Sequence, residues 1–181
     1  MTKKIFAALM TAAILFTGCG DDSTADSKET LNTAQASPVE KNIPTFNAVT
    51  IDGDTVTEKI FAAKKISVVN IWGTFCPPCI AEMPELGEMA RNLPDNAQII
   101  GFVIDATDNS PEVKEAQKII REAGADFVNI VPDEQLTKFM ANVEAVPTTI
   151  FVNSRGEVVG KAILGADVDG YKDELEKLLR E

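Results

Sequence analysis

A chain of 181 residues with a formal net charge of −11 and no histidine is long enough for one folded domain plus additional segments. No basic run exceeds two residues, as in Lys64-Lys65, which argues against nucleic acid as a partner and against a polybasic membrane patch. With no imidazole and three cysteines, a four-ligand zinc site or a histidine-built copper site has too few donors. No cofactor and no metal are expected.

Residues 1–18 begin with Lys3 and Lys4 and continue in an apolar run from Ile5 to Phe16. The run falls short of the roughly 20 residues that span a bilayer, so a signal peptide is the better reading. The following L-F-T-G-C, residues 15–19, is similar to a bacterial lipobox, although Phe16 stands where leucine is usual. That similarity implies cleavage before Cys19 and lipidation of Cys19, since two or more acyl chains give stable anchoring. Ordinary cleavage with Cys19 as a spare thiol is the alternative. Residues 19–42 hold no aromatic residue and are rich in Asp, Ser, Thr, Ala and Lys. Such a segment reads as a flexible linker, with a coil reach of roughly 25 Å.

The folded domain is expected over residues 43–181. Alternation on either side of Asp52-Gly53 predicts a β-hairpin, and residues 58–64 a short helical turn. Residues 66–72, I-S-V-V-N-I-W, read as a buried strand. A Gly-containing turn then delivers Cys76 to the start of a helix, with Cys79 one turn further on. Within that helix Ile80, Met83, Leu86 and Met89 mark the inner face, and Glu82, Glu85 and Glu88 read as a solvated face. Pro84 should bend it.

Residues 97–105 are a second buried strand. Ser110-Pro111 starts a helix that Gly124 ends. A short extended piece, a helix over 133–142, a hairpin of 148–153 with 158–164, and a closing amphipathic helix around Tyr171, Leu175, Leu178 and Leu179 complete the chain.

A strand, a turn and a C-x-x-C pair at a helix N-terminus carry redox chemistry. The unpaired N–H groups and partial positive charge there favour thiolate over thiol. A purely structural bridge across so small a loop would contribute little.

W-G-T-F-C-P-P-C (residues 72–79), Pro84 and A-V-P-T-T (residues 145–149) resemble the TlpA/ResA-type thiol-disulfide oxidoreductases of the thioredoxin-like superfamily. The resemblance covers roughly residues 43–181. It implies an α/β thioredoxin-like fold, a mixed central sheet flanked by helices, with an extra N-terminal β-hairpin. The order β-α-β followed by β-β-α fits it.

The resemblance also implies roles. Cys76 would be the attacking thiolate and Cys79 the resolving thiol. Pro147 would be a cis-proline lying against the pair, with the Val146 backbone pairing with substrate. Trp72, Pro77 and Pro78 complete the expected substrate-binding residues. Asn70 stands where thioredoxins carry a buried aspartate, which leaves Asp105 as a possible proton acceptor.

With no histidine between the cysteines and Pro77 removing an N–H, a reductase is expected. Its potential should lie nearer thioredoxin's, about −270 mV, than DsbA's, about −120 mV. The implied partners are disulfide-containing exported proteins, such as apocytochrome c or an oxidised secreted reductase, and a transmembrane thiol electron donor. The implied location is the outer face of the cytoplasmic membrane, reached through the lipid anchor. A thiol peroxidase is a weaker alternative, because Val69 and Gly73 fill the Pro and Thr positions of P-x-x-x-T-x-x-C. A non-catalytic peptide-binding lipoprotein is another.

Overall fold

The computed structural model describes residues 39–181. The expected signal segment, Cys19 and the linker as far as residue 38 lie outside the described residues. The elements in chain order are β1 (Asn47–Thr50), β2 (Thr55–Thr57), a 3-10 helix (Glu58–Ala63), β3 (Ile66–Trp72) and α1 (Pro77–Asn92). They continue as β4 (Ala97–Val103), α2 (Pro111–Ala123), β5 (Val128–Val131), α3 (Glu134–Phe139), β6 (Thr148–Asn153), β7 (Val158–Leu164) and α4 (Val168–Arg180).

The strands form a single seven-stranded sheet in the order β2-β1-β5-β4-β3-β6-β7. β3, β4 and β5 are parallel. Every other neighbouring pair is antiparallel.

All seven residues of β3 are buried, as a near-continuous apolar run requires of a strand covered on both faces. Its period of two divides the core. Val68 and Trp72 pack with Met83 and Leu86 of α1 and Leu175 of α4. Val69 and Ile71 pack instead with Phe61, Leu136 and Phe139. Helices therefore lie on both sides of the sheet in a three-layer arrangement. Asn70 shares its face with Val68 and Trp72 and faces Thr149 across the β3–β6 ladder. A polar pair is thus built into the α1–α4 side of the core.

Three sequence expectations change. Ile80 is 38% exposed, whereas Glu82 is buried at 4%. The inward stripe of α1 runs through Cys79, Met83 and Leu86, and Glu82 sits one turn after Cys79, where it cannot face solvent. Ser110 precedes α2 but makes no side-chain cap; its hydroxyl accepts from the Thr107 N–H instead. Residues 39–42, assigned above to the linker, lie against the folded chain. Val39 is buried, and the Lys41 carbonyl accepts from the Val158 N–H at 2.8 Å. Gly124 closes α2 at φ 61°, the left-handed conformation expected of a glycine at that position.

Candidate active site

The chain leaves the C-terminal end of β3 at Trp72, turns through residues 73–75 and enters α1 with Cys76 as its N-cap, at φ −101° and ψ 102°. Pro77 and Pro78 fill the first two helical positions, where a missing N–H is tolerated. The first N–H that α1 offers is therefore that of Cys79, and it donates to Cys76 Sγ at 3.3 Å. A donor and a helix N-terminus on one sulfur favour its ionised form once it is reduced. Here the two cysteines are joined, with Sγ–Sγ 2.08 Å and Cα–Cα 5.3 Å.

Asp105, just past β4, holds the turn. Its carboxylate accepts the Thr74 N–H at 3.0 Å and the Thr74 hydroxyl at 2.6 Å. The Cys76 N–H donates to the Gly73 carbonyl at 3.1 Å. Asp105, put forward from the sequence as a proton acceptor, is thus committed to Thr74 as a clamp on the loop before Cys76.

Cys79 is fully buried and Cys76 is 4% exposed. Cys76 borders a surface groove of about 450 Å³ whose walls include Phe75, Pro77, Pro78, Ile104, Val143 and Val146. Glu144 is the charged residue that lines it. Phe75 stands 66% exposed at its edge. The Val146–Pro147 peptide bond is cis, and the Val146 carbonyl oxygen lies 3.4 Å from Cys76 Sγ. A reduced thiol there would have an acceptor. The Pro147 carbonyl accepts the Gly165 N–H at 2.8 Å, which ties this wall to the end of β7.

Trp72, expected among the substrate-binding residues, is wholly buried in the same cluster as both cysteines. Its indole N–H donates to Asn129 Oδ1 at 3.0 Å. Gly101 on β4 makes room for that bond. A Cβ there would strike Asn129 Oδ1 and come within 2.9 Å of Trp72 Nε1. Trp72 therefore backs the disulfide from inside, while Pro77, Pro78 and Val146 face the groove and Pro147, the next residue, is buried behind it.

The residue that the sequence reading missed is Glu82. It sits three residues after Cys79 on the buried side of α1, a spacing that puts Cβ atoms about 5–6 Å apart. Asn70 Nδ2 donates to Glu82 Oε1 at 2.9 Å and to Thr149 Oγ1 at 3.1 Å. Glu82 Oε2 lies 3.0 Å from the Tyr171 hydroxyl. Burial, only partly offset by the Asn70 and Tyr171 hydrogen bonds, pushes the Glu82 carboxyl up to about 7. Glu82 also lines a cleft of about 240 Å³ with Pro78, Ala81, Glu85, Ala166 and Val168. A carboxyl that changes charge near neutrality beside a buried cysteine has the properties of a general base. The signal was present in the sequence: counted from Cys79 instead of Ile80, the helical period places Glu82 inward.

Among the described residues no group of three or more Cys, Asp or Glu could hold a metal ion, and no helix is long and apolar enough to cross a membrane.

The model of the AhpC/TSA family matches residues 39–161. The thiol-disulfide oxidoreductase ResA of Halalkalibacterium halodurans is 29% identical over 131 residues, 72% of this chain and 70% of that protein. The thiol:disulfide interchange protein DsbE of Haemophilus influenzae is 26% identical over 132 residues, 72% of this chain and 68% of that one. The crystal structure of the exposed lipoprotein thioredoxin of Streptococcus pneumoniae superimposes with a TM-score of 0.56 at 22% identity, covering 76% of this chain and 100% of the other. The fold is thioredoxin-like, and β1 and β2 precede its core as the expected N-terminal hairpin.

Proposed function

We propose that this chain, which belongs to the AhpC/TSA family and is a thiol-disulfide oxidoreductase, works chiefly as a reductase of disulfides in exported proteins. Cys76 is the attacking thiolate and Cys79 the resolving thiol. The observation that carries this reading is the single N–H at the start of α1 aimed at Cys76 Sγ, in a sulfur that borders an open groove beside Val146.

The reaction has two steps. The Cys76 thiolate attacks one sulfur of a partner disulfide, forms a mixed disulfide and expels the partner's other sulfur as a thiolate, which takes a proton. Cys79 then loses its proton, and Glu82 is the acceptor within one helical turn. The Cys79 thiolate attacks Cys76 Sγ and releases the partner's remaining sulfur. Two electrons pass to the partner and the Cys76–Cys79 disulfide is left. A thiol donor, which we place in the membrane, must reduce that disulfide before another cycle.

The reducing direction follows from weak stabilisation of the thiolate. Pro77 and Pro78 withhold two N–H groups, no cation stands between the cysteines, and Glu82 becomes a nearby negative charge once ionised. A less stabilised thiolate leaves a more stable disulfide and a lower potential.

The location is outside the cytoplasm, at a membrane, through a lipid on Cys19. The exposed lipoprotein thioredoxin of Streptococcus pneumoniae supports this by analogy of fold, and the L-F-T-G-C segment supports it by similarity to a lipobox. Labelling with radioactive palmitate, with Cys19→Ala as the control, tests it. For the chemistry, Cys79→Ser should accumulate a covalent complex with partner proteins, released by dithiothreitol, and Cys76→Ser should not. The reverse pattern would overturn the assignment, and a potential above about −150 mV would overturn the reducing direction.

A further inference from the structure

The hydroxyl of Tyr171 has one proton and four polar neighbours, of which the Thr149 hydroxyl can turn to donate or accept and so fits either arrangement below. The Gly165 carbonyl at 2.8 Å can only accept. The Asp167 N–H at 3.3 Å can only donate. Glu82 Oε2 at 3.0 Å can do either, because a neutral carboxyl donates one hydrogen bond and an ionised one donates none. Tyr171 itself keeps its proton, since burial pushes the phenol up to about 12.

Two arrangements satisfy these atoms. With Glu82 neutral, its O–H points to the Tyr171 oxygen and Tyr171 donates to Gly165. With Glu82 ionised, the carboxylate draws the phenol proton, because hydrogen bonds to a charged acceptor are the stronger ones. The Gly165 carbonyl then loses that donor. Gly165, at φ 85°, holds the Pro147 carbonyl through its own N–H.

We propose that Tyr171 is a positioning residue of the redox site, its hydroxyl proton passing from the Gly165 carbonyl to Glu82 when Glu82 ionises, so that the charge on Glu82 is felt at Gly165 and through it at Pro147. The catalytic consequence rests on Glu82 being the proton acceptor; the hydrogen-bond exchange does not. Other groups facing Glu82 are Glu85 on α1 and the Cys79 thiol once reduced. Asn70 and Thr149 face it from the sheet. From α4 comes Tyr171; Lys172 is paired with Asp169 and acts on Glu85 and Glu88, and the Asp167 carboxylate caps the helix at Gly170.

The test is nuclear magnetic resonance on the full-length oxidised protein, labelled with carbon-13, from about pH 3 to about pH 9, a range that spans the ordinary and raised carboxyl values. The Gly165 carbonyl carbon should move in one step whose midpoint coincides with that of the Glu82 carboxyl carbon. It should be flat in Glu82→Gln. In Tyr171→Phe it should also be flat, while the Glu82 carbon still titrates. A Gly165 signal that is flat in the wild type, or that titrates unchanged in Tyr171→Phe, would overturn the proposal. If Tyr171→Phe does not fold, the wild type and Glu82→Gln decide it.

For catalysis, Tyr171→Phe should displace the pH profile of partner release upward by about one unit, because the carboxylate loses a charge-assisted donor. An unmoved profile counts against the coupling. If Glu82→Gln releases partner at the wild-type rate, the acceptor reading falls while the carbonyl titration still decides the role of Tyr171.

Discussion

Asp105 takes both hydrogen-bond donors of Thr74, the main-chain N–H and the hydroxyl, and so joins the end of β4 to the loop that presents Phe75 and Cys76. The two residues are 31 positions apart, and the bond connects adjacent parallel strands at the edge where α1 begins. Hydrogen bonds to a charged acceptor contribute about 1.5–3 kcal/mol each when well formed, and this cluster is only half-buried. Asp105→Ala should cost about 2 kcal/mol, lowering Tm by roughly 4–8 °C. Asp105→Asn, which keeps one acceptor oxygen, should recover part of it. Resolution of the mixed disulfide should keep its pH profile in Asp105→Asn. A lost profile would make Asp105 the proton acceptor after all.

Glu82 makes an opposite prediction about stability and pH. Below about pH 4.5 the carboxyl is neutral in the folded and the unfolded chain alike. Between that value and about 7 the unfolded chain ionises and the folded one does not, so the folded state binds the extra proton and stability falls as the pH rises. Above about 7 the loss is complete, at roughly 3 kcal/mol on the scale of 1.36 kcal/mol per pKa unit. Glu82→Gln removes this dependence. Urea unfolding of the oxidised protein should show the variant gaining on the wild type between about pH 5 and about pH 8; parallel curves would mean that Glu82 ionises normally. The same variant should slow partner release by roughly 100-fold, the usual range for a lost general base.

What was legible in the sequence and what was not divides along contact distance. The β3 run, the N-terminal placement of Cys76 and the stop at Gly124 are local signals, each written in fewer than about ten residues, within one turn or one strand length. They hold because tertiary packing agrees with them. Glu82 was misread because Glu82, Glu85 and Glu88 recur every third residue and imitate a solvated face. Its partners Asn70 and Tyr171 lie 12 and 89 positions away, beyond any periodicity argument. Asp105 shows the same limit: a strand-end acid is visible in the sequence, but the loop it clamps is not. Residues 39–42 hold one apolar residue, Val39, and read as linker, yet backbone pairing of Lys41 with Val158 and of Asn42 with Glu157 leaves no side-chain pattern.

Phe75 joins the loop geometry to partner choice. Its ring lies over Gly73, where an added Cβ would come within 2.5 Å of the ring edge, and most of its surface faces solvent. A large apolar side chain that is exposed beside a reactive sulfur gains by burial against a partner. Phe75→Ala should change folding stability by no more than about 0.5 kcal/mol, as expected of an exposed position. It should lower kcat/KM for a protein disulfide roughly tenfold, a change of about 1.4 kcal/mol, carried mainly by KM. Reduction of a small disulfide that cannot reach the groove should proceed at the wild-type rate. Equal losses on the protein and the small disulfide would mean that Phe75 acts on Cys76 itself. Gly73→Ala offers an independent check, because it displaces the ring without removing it and should reproduce the KM effect in part.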